Sequence, residues 1–81
     1  MSQESLPPFS ELSRTLARGI YRHYSGKTYQ VLGVGRHSET LEEYVIYKAL
    51  YDDGDLWVRP LSLFCEMLDI DGKDTPRFSL V

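Results

Sequence analysis

The chain is poor in cysteine: Cys65 stands alone among 81 residues, which excludes an internal disulfide. A reducing compartment is the expected home of such a chain. No apolar run approaches the length of a membrane span. Met1-Ser2-Gln3-Glu4-Ser5 has neither the basic start nor the apolar stretch of a secretory leader. The expectation is therefore a cytoplasmic protein with no membrane partner. Basic residues are outnumbered, nine against twelve acids, and the net charge of −3 argues against a general nucleic-acid binder. Internal repeats and low-complexity segments are absent as well.

What the chain does have is aromatic rings and β-branched residues. Six tyrosines, three phenylalanines and one tryptophan suit a pleated surface, and 42% hydrophobic content is enough for one modest core. Charge is unevenly placed. Residues 1–37 carry Arg14, Arg18, Arg22, Lys27 and Arg36 against Glu4 and Glu11, whereas residues 38–81 hold the other ten acids against Lys48, Arg59, Lys73 and Arg77. The plain expectation is that the two halves pair across the fold; the sharper one is a local basic patch.

Residues 1–8 read as a flexible N-terminal tail, since Pro7 and Pro8 favour extended or turn backbone. Residues 9–81 read as a single small domain. Phe9 to Arg18 carries apolar residues at helical spacing, with Gly19 placed as a C-terminal cap. Strands are expected at Ile20 to Tyr24, Thr28 to Val34, Tyr44 to Tyr51, Leu56 to Arg59 and Arg77 to Leu80, with a helical turn over Leu61 to Met67 and a further extended piece over Leu68 to Ile70. Gly33 and Gly35 predict a bend in the second strand, and Asp71-Gly72 a hairpin turn. The fold class is mainly β: a small SH3-like bent β-barrel of about five strands with a short N-terminal helix.

Two polar segments interrupt the strand-like pattern, Gly35-Arg36-His37-Ser38-Glu39-Thr40 and Leu56-Trp57-Val58-Arg59-Pro60. Arginine beside aromatic rings can hold a carboxylate or phosphate through two parallel bonds, while Trp57 and Tyr47 can stack on a planar group. The candidate ligand-binding residues are Arg36, His37, Glu39, Tyr47, Trp57 and Arg59. The structural alternative is that Arg59 pairs with Glu39 or Glu43 and braces the fold. Arg77 is a third arginine of this kind. His23 and His37, with Glu39, Glu43 and Cys65, show no recognised metal-ligand spacing, so neither a metal nor a cofactor is expected. Cys65 lies in the apolar segment Leu63-Phe64-Cys65-Glu66-Met67 and reads as a structural thiol, not a nucleophile.

Tyr21-Arg22-His23-Tyr24-Ser25-Gly26-Lys27-Thr28-Tyr29, then Arg36 to Thr40, Val45 to Tyr51 and Leu56 to Pro60, resemble a small bacterial family catalogued as domain of unknown function 1653. The likeness runs from about Gly19 to Phe78, and the N-terminal helix lies outside it. It implies a compact β-barrel protein and no particular activity. Ser25 stands where the family pattern more often has lysine, which removes one charge from that turn.

The functional expectation is a non-enzymatic binding module for an anionic group, a short peptide or single-stranded RNA. One alternative is a small enzyme working through His37 and Glu39 as acid and base, with Arg36 or Arg59 stabilising an anion, which needs a closed pocket with the histidine at its floor. Another is an interaction or assembly protein whose Phe9 to Arg18 helix docks on a partner. A monomer or weak homodimer fits all three.

Overall fold

The computed structural model describes residues 6–81. Strands β1 (Gly19–His23), β2 (Thr28–Arg36), β3 (Glu43–Ala49) and β4 (Leu56–Pro60) run as an antiparallel meander. A short strand near the C-terminus, Phe78–Leu80, adds to the free side of β1. The side-chain period of two shows most clearly in β3. Val45, Tyr47 and Ala49 are buried, while Tyr44, Ile46 and Lys48 between them are half-exposed on the other face.

Between β4 and that last strand come α2 (Leu61–Phe64), β5 (Met67–Ile70) and β6 (Lys73–Pro76), so the last strand is β7. Pro60, at φ −50°, ends the strand ladder and opens α2. The helix lays Leu61 and Phe64 over the inner face of the sheet. There Phe64 stacks on Phe78 at 4.1 Å and meets Tyr21 and Tyr47 edge-on at 5.5 and 5.4 Å. Tyr21, Val31, Val45, Tyr47, Leu61, Phe64 and Phe78 make the core. Each large ring buried this way contributes roughly 1.5–3 kcal/mol.

The mainly β architecture is as the sequence predicts, while the five-strand SH3-like barrel is not confirmed. The large sheet has the open order β4-β3-β2-β1-β7, and no closed barrel is found among the described residues. The cause lies in the Asp71-Gly72 turn. Asp71 and Gly72 both take positive φ, 52° and 82°, as a two-residue hairpin turn with matching twist requires. The turn pairs Met67–Ile70 with Lys73–Pro76 in a separate two-stranded sheet. Residues 67–76 are thus committed to each other and do not bridge the edges of the main sheet.

The N-terminal helix is shorter than the periodicity of Phe9 to Arg18 suggests. α1 covers Glu11–Thr15. Ser10 caps it, its Oγ accepting from the Ser13 N–H at 3.1 Å. The chain leaves the helix at Leu16, which turns to pack against the core, and Tyr21 Oη donates to the Ala17 carbonyl at 2.7 Å. Those tertiary contacts outweigh the further helical residues, Leu16 to Arg18, that local spacing favours. Gly19 is the first residue of β1, not a helix cap. Of the tail expected over residues 1–8, residues 1–5 lie outside the described residues. Among the described residues, no helix is long and apolar enough to cross a membrane.

Candidate functional site

A register shift in β2 creates the main concavity. Between Val31 and Gly33 the pairing with β3 slips by one residue, which places Gly33 opposite Ile46 and Gly35 opposite Tyr44. Both pairs belong to the outer face, away from the buried Val45 and Tyr47. With no side chain at either glycine, a trough is left beside Tyr44 and Ile46. A Cβ built on Gly35 would lie only 3.2 Å from Ile46 Cδ1, so Ile46 packs into the room that glycine leaves. The resulting groove, ≈ 400 Å³, is lined by Gly35, Arg36, His37, Tyr44, Ile46 and Val58. An apolar trough with a few polar groups at its end is the usual form of a small-ligand site.

Arg36 is positioned by the N-terminal segment. Its guanidinium lies 4.0 Å from the centre of the Phe9 ring, and one Nη donates to the Pro7 carbonyl. Opposite it in the ladder, Glu43 is engaged elsewhere, accepting from Ser10 N at 2.8 Å and Ser10 Oγ at 2.6 Å. Those two bonds are the main cause of the lowered pKa of Glu43; the nearby Arg36 and Arg14 lower it further. No carboxylate lies within ion-pair distance of Arg36 among the described residues.

His37 is exposed, and its Nδ1 accepts from the backbone N–H groups of Glu39 and Thr40 at 3.1 and 3.2 Å. The neutral ring therefore carries its proton on Nε2. This is a turn-bracing role, completed by the His37 N–H to the Glu42 carbonyl at 2.7 Å. The carboxylate of Glu39 contacts the hydroxyl of Ser38 at 3.5 Å and makes no hydrogen bond to the imidazole. Glu39 does not line the groove.

The other three candidate residues fall on the opposite face. Trp57 pairs with Tyr47 and Arg59 with Val45, so both share the inner face with the core. Arg59 Nε donates to Tyr47 Oη at 3.2 Å, and the guanidinium lies 5.7 Å from the Phe78 ring. The proposed brace to Glu39 or Glu43 does not form, and no carboxylate pairs with Arg59 among the described residues. Trp57 is 49% exposed at the end of this face. Beyond it lies a tyrosine cluster. Tyr29 and Tyr51 share a hydroxyl bond of 2.7 Å, and burial together with that bond pushes the Tyr29 pKa up to about 12. His23, against Phe78, has its pKa lowered by burial and then by Arg59 and Arg77.

Arg77 is locked, bonded to Glu66 at 2.7 Å and to the Leu63 carbonyl at 3.0 Å. This is the one ion pair among the described residues. It joins two residues of the acidic half, not the two halves of the chain. Cys65 packs against the core, and burial raises its thiol pKa, in keeping with a structural role. The sequence reading missed Tyr44, Ile46 and Val58 as groove residues. The available signal was the glycine pair, which marks both a bend and a strip of sheet without side chains.

Comparison with known proteins gives a family and a fold. A family model described as "Protein of unknown function (DUF1653)" matches residues 19–80. Among solved structures, the crystal structure of a DUF1653 protein from Bordetella bronchiseptica is 35% identical and superposes with a TM-score of 0.78, covering 85% of this chain and 91% of that one. Among curated proteins none matches.

Proposed function

The chain belongs to the DUF1653 family of proteins of unknown function, and from that premise we propose that it is a binding module whose outer-face groove holds a small anionic ligand. The ligand joins an apolar or planar body to one charged group. A single observation carries this reading. An apolar trough formed by Gly35, Tyr44, Ile46 and Val58 has Arg36 at its border, and the Arg36 guanidinium has no carboxylate partner among the described residues. The trough would take the body of the ligand, with Tyr44 offering a ring to stack on. Arg36 would hold a phosphate or carboxylate oxygen by charge-assisted bonds. Phe9 behind the guanidinium limits its freedom, which lowers the entropy lost on binding.

The overall negative charge favours a ligand with one or two charges over a long polyanion, because each further phosphate would need its own cation. Binding is better supported than catalysis. His37 is exposed with its Nδ1 occupied by its own turn, and Glu39 does not line the groove, so the two do not face one bound substrate.

The test is titration of 15N-labelled protein with adenosine monophosphate, a five-nucleotide uridine RNA and an acidic hexapeptide, each to millimolar concentration. The reading expects saturable shifts at Gly35, His37, Tyr44, Ile46 and Val58 with at least one of the three. Amides that stay unmoved with all three, or that move only outside this groove, would refute it.

A further inference from the structure

β4 is an edge strand with an exposed, apolar centre. It pairs only with β3, at one end of the order β4-β3-β2-β1-β7. The Ala49 N–H donates to the Asp55 carbonyl at 2.9 Å, and the register continues with Tyr47 opposite Trp57 and Val45 opposite Arg59. In an antiparallel ladder, opposite residues alternate between bonded and non-bonded pairs. Asp55, Trp57 and Arg59 therefore aim their main-chain groups at β3. Leu56 and Val58 aim theirs at the free edge. Both side chains are 63% exposed and Trp57 is 49% exposed. Edge strands are normally blunted by charge, proline or a bulge. Here no charge or bulge interrupts the three central residues, and Pro60 closes only the far end.

We propose that the chain pairs with a second copy of itself through β4, antiparallel about a two-fold axis at Trp57. The five residues Asp55 to Arg59 are complementary to themselves in this register. Leu56 lies opposite the partner's Val58, and each uses the main-chain groups that β3 leaves free. Trp57 lies opposite the partner's Trp57, ring against ring. Asp55 lies opposite the partner's Arg59, and Arg59 opposite the partner's Asp55. These last pairs are non-hydrogen-bonded, the closer kind for side chains. Neither Asp55 nor Arg59 has an ion-pair partner within its own chain among the described residues. Arg59 keeps both terminal nitrogens free while its Nε serves Tyr47. One step further along, Gly54 would face the partner's Pro60, which has no N–H to give, so pairing stops where the charges end. A register displaced by two residues sets the partner's Arg59 opposite Trp57 in one direction and opposite Asp53, in the turn before β4, in the other; either way both Asp55–Arg59 pairs are lost. The inference uses the edge and inner face of β4 and stands apart from the groove's ligand.

Sedimentation equilibrium of the full chain across micromolar to millimolar concentration tests the pairing. The expected result is a reversible rise to twice the monomer mass. Asp55→Arg alone and Arg59→Asp alone each set like charges opposite one another at both ends of the paired strands. Each should weaken association about tenfold or more. The double variant D55R/R59D restores opposite charges at both ends and should recover most of the loss. The Asp55 residue is exposed, so its variant keeps the test valid if the change at Arg59 disturbs the fold; circular dichroism monitors this. A chain that stays monomeric to millimolar concentration overturns the proposal and leaves β4 to a strand from a different protein. A dimer indifferent to the single reversals, or a double variant that regains nothing in a folded protein, overturns the register.

Discussion

Gly35→Ala separates the groove from the fold. Gly35 has no positive φ, so alanine is allowed by the backbone, and replacing glycine in a strand gains about 0.5–1 kcal/mol from the unfolded state. Against this stands one close approach, 3.2 Å from the new methyl to Ile46 Cδ1. That atom is the far end of a half-exposed side chain, and moving it a few tenths of an ångström costs roughly 0.5–1.5 kcal/mol if the rotamer is strained. The two effects nearly cancel, so the net change in stability is within about 1 kcal/mol of zero. The groove fares differently, because the methyl and the displaced Ile46 both occupy the trough. A misplaced methyl in a fitted apolar site costs roughly 1–3 kcal/mol of binding, tenfold or more in affinity. Urea denaturation reads the first quantity, and titration with whichever probe shifts Gly35 and Ile46 reads the second. A loss of stability above about 2 kcal/mol would show that Ile46 is pinned and that the glycine serves packing. Unchanged affinity in a folded variant would show that the ligand does not use this trough.

Three further outcomes follow from named contacts. Phe64→Ala removes the ring that stacks on Phe78 and should cost about 3–5 kcal/mol. A chain of this length has roughly 4–12 kcal/mol in all, so the variant should sit near its unfolding midpoint in dilute urea, and an unshifted midpoint would contradict the packing described. Glu43 has its pKa lowered chiefly by the Ser10 bonds, so its contribution is complete above the ordinary value of 4.5 and is lost as pH falls through the depressed folded value. Glu43→Gln should therefore flatten the fall in stability below that pH, and should cost about 1 kcal/mol at neutral pH, read from urea midpoints across a pH series. Arg36→Gln should leave the chain folded and weaken an anionic probe about tenfold, since a hydrogen bond to a charged group contributes about 1.5–3 kcal/mol; equal affinity for charged and uncharged probes in the native chain would remove the role of Arg36.

Much of the strand pattern was legible because it rests on local chemistry. Tyr44 to Tyr51 alternates small, branched and aromatic residues, and β3 forms over Glu43–Ala49 with Val45, Tyr47 and Ala49 buried on one face. The Asp71-Gly72 turn also forms as its residue types require. What local chemistry does not encode is which strands meet. Closure of the sheet depends on where β5 and β6 go, and their hairpin is satisfied by its own partner. The helix boundary failed for a related reason. Spacing over Phe9 to Arg18 fits a helix, but Leu16 and Tyr21 draw the chain toward the core after Thr15.

The candidate site shows the same limit at finer scale. In sequence, Arg36, His37 and Glu39 group with Tyr47, Trp57 and Arg59 because arginine beside aromatic rings suits an anionic or planar ligand. Strand period then decides their fate. Counting by two from the buried Val45 sends Tyr47, Trp57 and Arg59 inward, while Ile46 and Val58 go outward. The slip at Leu32 shifts β2 by one residue and brings two glycines to the outer face. A bulge cannot be located from a glycine alone, because a bend, a bulge and a close approach all call for the same residue. Once it is placed, the short segment Leu56 to Arg59 resolves into three surfaces. Val58 walls the groove, Trp57 and Arg59 border the core, and the main chain of Leu56 and Val58 is left facing outward. A motif that looks like one site in sequence therefore serves several surfaces in space, and each surface can be altered without the others.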